Sequence, residues 1–399
     1  MSGFRVMHVT DYASAYEGAF IRQLRMLDED VRGRGGRSSV FCGTGFALDR
    51  PWADTLEGDG WELVELPNGA TRTQRSVARS IADAVLEHRP DVVHVHFGTY
   101  DLSTRLALRM LRRELRGRGQ QLPKLVWHYR TALETTIEER SVVRRIKDRI
   151  KFGHAGQDVD LFVGVTRALA DEVARRGAPA ERCRGIVAGC DTDTFRRDQA
   201  TRARVRESLG LRDDDVMVLH MGWSWHRKGG DLLAQAATSL SALQDPRIVA
   251  FSIGAPEDAL LGAVRQLPIS DRVHEYHQAS DIFVSASRSE GFGNGLVEAM
   301  ACERVAVAAM ADGQVETFAG IDGVTTMPVG DAGALTDAIR MLVHQRGSWA
   351  TMGAANRRHV VERHSMRRWA RDMADAYAEL LPERLDGAAA RAALAVEVA

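Results

Sequence analysis

Lysine is almost missing from this chain of 399 residues: Lys124, Lys147, Lys151 and Lys228 are the only four among 53 basic residues. The arginine bias, with abundant Ala, Gly and Val, is the imprint of a GC-rich genome and carries no mechanism of its own. It makes a lysine inside a motif informative. Cysteine is also scarce. Cys42, Cys183, Cys190 and Cys302 are scattered without a C-x-x-C pair, which leaves a zinc site or a thioredoxin-like motif unsupported and fits a reducing compartment. No apolar run approaches the roughly 20 residues that span a bilayer, and the start MSGFRVMHVT lacks the apolar core of a signal peptide. The expected location is cytoplasmic, at most peripheral at the inner face of a membrane. Excess charge of one sign is absent too: 53 basic against 54 acidic residues give nothing in favour of nucleic acid.

What is present is an alternation of strand and helix signals. Arg5–Thr10, Ser38–Cys42, Trp61–Leu66, Asp91–His96, Lys124–His128 and Asp160–Val165 read as strands, with helices at Ala19–Leu27, Arg75–Leu86 and Thr104–Leu115. The second half repeats this with strands at Val216–His220, Ile248–Ile253, Asp281–Ala286 and Val305–Ala309. Helices are expected at Asp231–Leu243, Leu296–Cys302, 332–345, 348–361 and 366–382. Strands separated by helices imply βαβ units and mostly parallel sheets. The two blocks meet near 186–205, which predicts two domains, 1–188 and 189–365, then a helix over 366–385 and a frayed tail, 386–399. Between Asp101 and Lys151 there are 14 basic residues against 6 acidic. Within that stretch Val142, Val143, Ile146 and Ile150 recur at helical spacing among Arg144, Arg145, Lys147, Arg149 and Lys151. The segment 140–152 therefore reads as a core-packed helix with a basic outer face, or as a membrane-surface helix, or as a clamp for an anionic acceptor.

Chemistry concentrates in a few loops. In SRSEGFGNGLVEAMACE (Ser287–Glu303) a strand runs into a loop with Gly291, Gly293 and Gly295, and a helix opens near Asn294. Glycine lets the backbone approach a ligand, and the helix start offers free N–H groups. Glu290 and Glu298 frame the loop, and a carboxylate accepts from two vicinal hydroxyls at once, which suits a sugar. In HMGWSWHRKGGDLL (His220–Leu233) Arg227 and Lys228 stand at a helix-opening turn, placed to neutralise a diphosphate. Gly18, after the first strand, lies where a backbone could touch a phosphate. His128 closes a strand, the end that faces ligands in α/β sheets. Asp191-Thr192-Asp193 and His94-x-His96 are read as structural, the latter for want of a further ligand, and no metal is expected.

EGFGNGLVE is similar to the E-x7-E signature of glycosyltransferase family 4, the GT-B fold of two facing Rossmann-like domains with a cleft between them. The resemblance extends through PDVVHVHFG (Pro90–Gly98), CDTDTF (Cys190–Phe195), GWSWHRKGG, DGQVETF (Asp312–Phe318), PVGDAGAL (Pro328–Leu335) and HSMRRWARDMADAYAELL. It implies a retaining glycosyltransferase, hexosyl- or N-acetylhexosaminyl-type, that uses a nucleotide-sugar donor, most readily a UDP-sugar, and needs no cofactor. The resemblance puts Lys228, helped by Arg227, on the donor diphosphate and Glu290 on the donor-sugar hydroxyls. It sets the backbone of Gly291, Phe292 and Gly293, with Asn294, along the sugar, and Glu298 on the ribose. It places His128 beside the reacting centre and Gly18 by the pyrophosphate. A soluble small molecule of specialised metabolism is the first acceptor expected. A lipid-linked or polysaccharide acceptor at a membrane is the second, and a non-catalytic nucleotide-sugar-binding partner protein is the reading from another class. The sequence departs from the family pattern at Trp223, where an arginine is usual, at Ala188 for an asparagine, and at Glu303 for a glycine.

Overall fold

The computed structural model describes residues 3–68, 74–133, 141–241 and 247–382. The tail 386–399 and Arg140 lie outside them. The chain forms two compact units, one of residues 1–187 with 369 onward, the other of residues 188–368.

The first unit holds a parallel sheet of β1 (Arg5–Val9), β2 (Arg37–Thr44), β3 (Glu62–Leu66), β4 (Val92–His96), β5 (Lys124–Tyr129), β6 (Leu161–Gly164) and β7 (Cys183–Gly185). Its order is β3-β2-β1-β4-β5-β6-β7, so the winding reverses between β1 and β4. The central strands are buried on both faces, as a helix-covered parallel sheet requires, and are mostly apolar, with His8, His94, His96 and His128 among the buried side chains. One face packs Val6, Val92, Val126 and Val163 against Leu27 and Val31 of the Gly18–Gly33 helix. Trp369, Met373, Ala374 and Tyr377 of the Met366–Leu380 helix complete that cluster.

The second unit holds β8 (Val216–Met221), β9 (Ile248–Ile253), β10 (Arg265–Leu267), β11 (Ile282–Ser285), β12 (Val305–Ala309) and β13 (Val324–Met327). All pairings are parallel in the order β10-β9-β8-β11-β12-β13, with the reversal between β8 and β11. Its core joins these strands to the helices Gly230–Leu240 and Ala332–His344.

The helix Val142–Ala155 is not core-packed through its aliphatic stripe. Val142, Val143, Ile146 and Ile150 are each more than half exposed, and the buried side is Asp148, Phe152 and Ala155. The periodicity marked a face correctly, but that face meets solvent.

Candidate active site

In a doubly wound sheet, the loops leaving the two strands beside the reversal diverge and leave room for a ligand. In the second unit these follow β8 and β11, and both carry the residues singled out in the sequence. His220, near the end of β8, is buried and ties the loop after β8 to the neighbouring strand β9: Nε2 faces the Lys228 carbonyl at 3.0 Å and Nδ1 the Ser252 hydroxyl at 3.0 Å. A carbonyl can only accept, so Nε2 carries the proton and Nδ1 accepts from Ser252. Burial pushes the His220 pKa down to about 4, which keeps this arrangement neutral.

The two loops are hydrogen-bonded to each other. Arg288 N–H donates to the Arg227 carbonyl at 2.8 Å, and Arg227 Nη1 donates to the Ser289 carbonyl at 3.1 Å. Gly229 has φ 75°, and a Cβ there would lie 2.1 Å from the Ala286 carbonyl oxygen, so only glycine allows the approach. Across this seam Lys228 Nζ donates to Glu290 Oε1, and the Ser287 hydroxyl donates to the same oxygen at 2.8 Å. Arg227 Nη1 stands 3.8 Å from Glu290 Oε2. Trp223 is exposed and receives both cations on its ring, Arg227 at 4.9 Å and Lys228 at 5.0 Å from the centroid. The departure at Trp223 thus leaves a stacked pair of cations in place.

After Glu290 the loop passes Gly291 and the buried Phe292 to Gly293, whose φ of 84° opens the Asn294–Ala301 helix with no side-chain cap. The Leu296 and Val297 N–H groups return to the Gly293 carbonyl, which leaves those of Asn294 and Gly295 for another acceptor. Glu298 lies one turn into the helix, its Oε2 3.5 Å from His277 Nε2. The structure therefore gathers Arg227, Lys228, Glu290, Gly291, Phe292, Gly293, Asn294 and Glu298 around one reversal point.

Gly18 and His128 belong to the first unit. Gly18 opens its helix at φ 59°, and a Cβ would sit 2.6 Å from the Tyr12 hydroxyl, which lies over it. His128 is enclosed, 1% exposed, on the face of β5 turned to the C-terminal helix, and β5 runs on to Tyr129, so the strand's open end belongs to Arg130. Sequence reasoning missed what surrounds it. His8 of β1, His94 and His96 of β4 and His128 of β5 share one face, because His8 pairs with His94 and His96 with His128 across the sheet. The ligand that His94-x-His96 lacked in sequence is thus supplied by register. Nitrogens of His8, His94 and His96 lie within 4.8 Å of one another, although His8 Nδ1 and His96 Nε2 already share a hydrogen bond of 3.0 Å. Asp191 of the D-x-D is taken up locally: it accepts from the Asp193 and Thr194 amides and from the Thr194 hydroxyl.

Two family descriptions match the chain, "Glycosyltransferase Family 4" over residues 29–194 and "Glycosyl transferases group 1" over residues 215–345. Among curated proteins it is 29% identical over 244 residues to a GDP-mannose-dependent alpha-(1-6)-phosphatidylinositol monomannoside mannosyltransferase of Mycolicibacterium smegmatis, which spans 56% of this chain and 61% of that protein. It is 30% identical to D-inositol 3-phosphate glycosyltransferase 1 of Catenulispora acidiphila over 50% of this chain and 53% of that one. These matches thus span little more than half the length of those relatives. Among solved structures, a glycosyltransferase of Rickettsia africae superposes with a TM-score of 0.77 at 15% identity, covering 96% of this chain and 99% of that one. HepE of Anabaena, solved in complex with UDP, gives 0.74 at 17% identity, covering 94% and 100%. These likenesses establish the GT-B fold, and with the family matches they show that the chain belongs to the family 4 glycosyltransferases.

Proposed function

We propose that the protein moves a sugar from a nucleotide-sugar donor to an acceptor hydroxyl with retention of anomeric configuration. The observation that carries this reading is the Lys228–Glu290 pair, held across the β8–β11 reversal by two loops locked to one another. In this reading Lys228, assisted by Arg227, neutralises the diphosphate as the bond from the anomeric carbon to its oxygen breaks. Glu290 turns from Lys228 to the sugar hydroxyls. The uncapped helix start at Asn294 and the backbone of Gly291, Phe292 and Gly293 line the sugar, and Glu298 takes the ribose. The acceptor oxygen attacks the face the diphosphate leaves, and its proton passes to the departing phosphate oxygen. Catalysis is then positioning and charge stabilisation, with no strong protein base required. Gly18 and His128 of the first unit serve the same reaction, His128 as a neutral imidazole, since burial pushes its pKa well down.

A UDP-sugar is the first donor to test and GDP-mannose, which a relative's name carries, the second. For the acceptor, the exposed stripe Val142, Val143, Ile146 and Ile150 among the exposed cations Arg144, Arg145, Lys147 and Arg149 favours a membrane-surface substrate over a soluble one. The test is a thermal-shift and hydrolysis screen with UDP-, GDP-, ADP- and TDP-sugars, with and without divalent metal. Stabilisation by one nucleotide with slow release of its diphosphate supports the reading. Silence toward the whole panel favours a non-catalytic partner protein.

A further inference from the structure

Among the buried side-chain nitrogens of the first unit that have no hydrogen-bond partner, four belong to one cluster: His96 Nδ1, His128 Nε2, Arg130 Nη1 and Trp369 Nε1. Their side chains are neighbours. The His96 and His128 rings are 5.6 Å apart, His128 stacks on Trp369 at 6.3 Å, and the Arg130 guanidinium lies 5.4 Å over Trp369. His96, His128 and Trp369 are at most 1% exposed. Leaving one such group unpaired costs about 1–3 kcal/mol, so four together call for a ligand.

Hydrogen-bond polarity tells which kind. Tyr377 is fully buried, and its phenol meets His94 Nδ1 at 2.5 Å. The phenol has no other acceptor among the described residues, so it donates its buried proton, His94 Nδ1 accepts and His94 carries its own proton on Nε2. That proton goes to His128 Nδ1 at 3.1 Å, which leaves the His128 proton on Nε2, the unpartnered atom. A second chain runs in the same sense when Ser38 donates to His8 Nε2 at 2.6 Å and His8 Nδ1 donates to His96 Nε2 at 3.0 Å, leaving His96 Nδ1 protonated. Arg130 and Trp369 can only donate. With both chains running in this sense, all four atoms are donors. Arg130 has no ion pair among the described residues. Gln23 accepts from its Nη2, and Phe20 and Phe97 flank the guanidinium at 4.8 and 6.0 Å. A cation walled by aromatic rings, without a carboxylate, is costly unless an anion joins it.

We propose that Arg130 and His128, with His96 and Trp369 beside them, form a binding site for a phosphate-type oxyanion at the C-terminal edge of the first sheet. Tyr377 and His94 are positioning residues that hold His128 in the tautomer that donates. Phe20 and Gln23, which seat Arg130, lie in the first two turns of the helix that opens at Gly18, next to the β1–β4 reversal. The oxyanion is either a phosphate carried by the acceptor or the diphosphate of the donor. Only this question of source rests on the glycosyltransferase reading, because the site is probed without any nucleotide sugar.

The test is NMR of the full chain labelled with 15N in histidine and in the tryptophan indole, with Trp369→Phe assigning the indole signal. At neutral pH His128 is expected as a single neutral tautomer protonated on Nε2, and sodium phosphate should move the His128 Nε2 and Trp369 Nε1 signals. Arg130→Gln, which removes a charged donor, should weaken that response at least about tenfold, and Arg130→Lys should restore part of it. Tyr377→Phe should populate both His128 tautomers while indole dispersion shows the unit still folded. If UDP or GDP moves these signals at lower concentration than inorganic phosphate, the donor is the source; if myo-inositol phosphate does so and the nucleotides do not, the acceptor is. His128 protonated on Nδ1, a response to zinc but to no oxyanion, or an unchanged response in Arg130→Gln would overturn the proposal.

Discussion

Lys228 and Glu290 stand 62 residues apart in the chain, yet the ammonium donates directly to the carboxylate, so each is the other's counter-ion before any substrate arrives. Both side chains are largely buried, and a charge left alone there is costly. Lys228→Ala and Glu290→Ala should each lower turnover by at least ~10²-fold. Because the two act as a pair, the double variant should fall well short of the summed losses, with a coupling of about 0.5–3 kcal/mol. Steady-state kinetics of donor hydrolysis measures both numbers, and near-normal rates in the single variants would remove the site assignment.

Burial of the histidine face of the first sheet gives a pH dependence of defined sign. The His8 pKa is pushed down to about 3, and His94, His96 and His128 lie well below the ordinary value, chiefly by loss of hydration. The unfolded chain takes up protons near pH 6.5 and the folded one does not. Stability is thus complete above about pH 7 and falls as pH drops through 6.5, by roughly 2 kcal/mol at pH 5 for one such histidine. Urea melts between pH 5 and 7.5 should show that slope, and His8→Gln should reduce it. A flat profile would contradict the neutral, buried assignment.

Glu303 occupies the position where the family pattern has glycine, and its φ is 62°, in the left-handed region. Its ion pair with Arg197, at 3.4 Å, is half-exposed on the arginine side and adds little. Glu303→Gly should therefore stabilise the protein by about 1 kcal/mol, the cost of a side chain in that conformation. Chemical denaturation decides it, with a lower midpoint counting against the strain argument.

The helix Val142–Ala155 should bind vesicles containing anionic lipid and ignore neutral ones at physiological salt. Each basic side chain near such a surface contributes about 1 kcal/mol, and each inserted aliphatic residue of order 1.5 kcal/mol. Ile146→Asp should lower vesicle affinity at least about tenfold in co-sedimentation while hydrolysis of a soluble donor stays unchanged. Equal binding by the variant would show that this stripe is not the contact.

Legibility followed burial. Runs dominated by β-branched and small apolar residues, such as VVHVH and VAVAA, announced buried strands within a residue or two. The edge strands Cys183–Gly185, Arg265–Leu267 and Val324–Met327 were missed because they are short and half exposed, so no apolar run marks them. The Lys228 and Glu290 loops were readable because glycine, charge and a helix start coincide in one stretch of chain. The histidine face was not, since it depends on the register of three strands that lie up to 120 residues apart. For Val142–Ile150 the periodicity told which side chains share a face, and only packing could tell what that face meets.

The Met366–Leu380 helix has a consequence for synthesis. Trp369, Ala370, Met373, Ala374, Ala376 and Tyr377 close a core whose other members all precede residue 187. On the ribosome the first sheet is therefore made early and stays only partly covered on that face while some 180 further residues are added. The first unit cannot finish folding in vectorial order, and a nascent chain stalled before Trp369 should present that apolar face to chaperones.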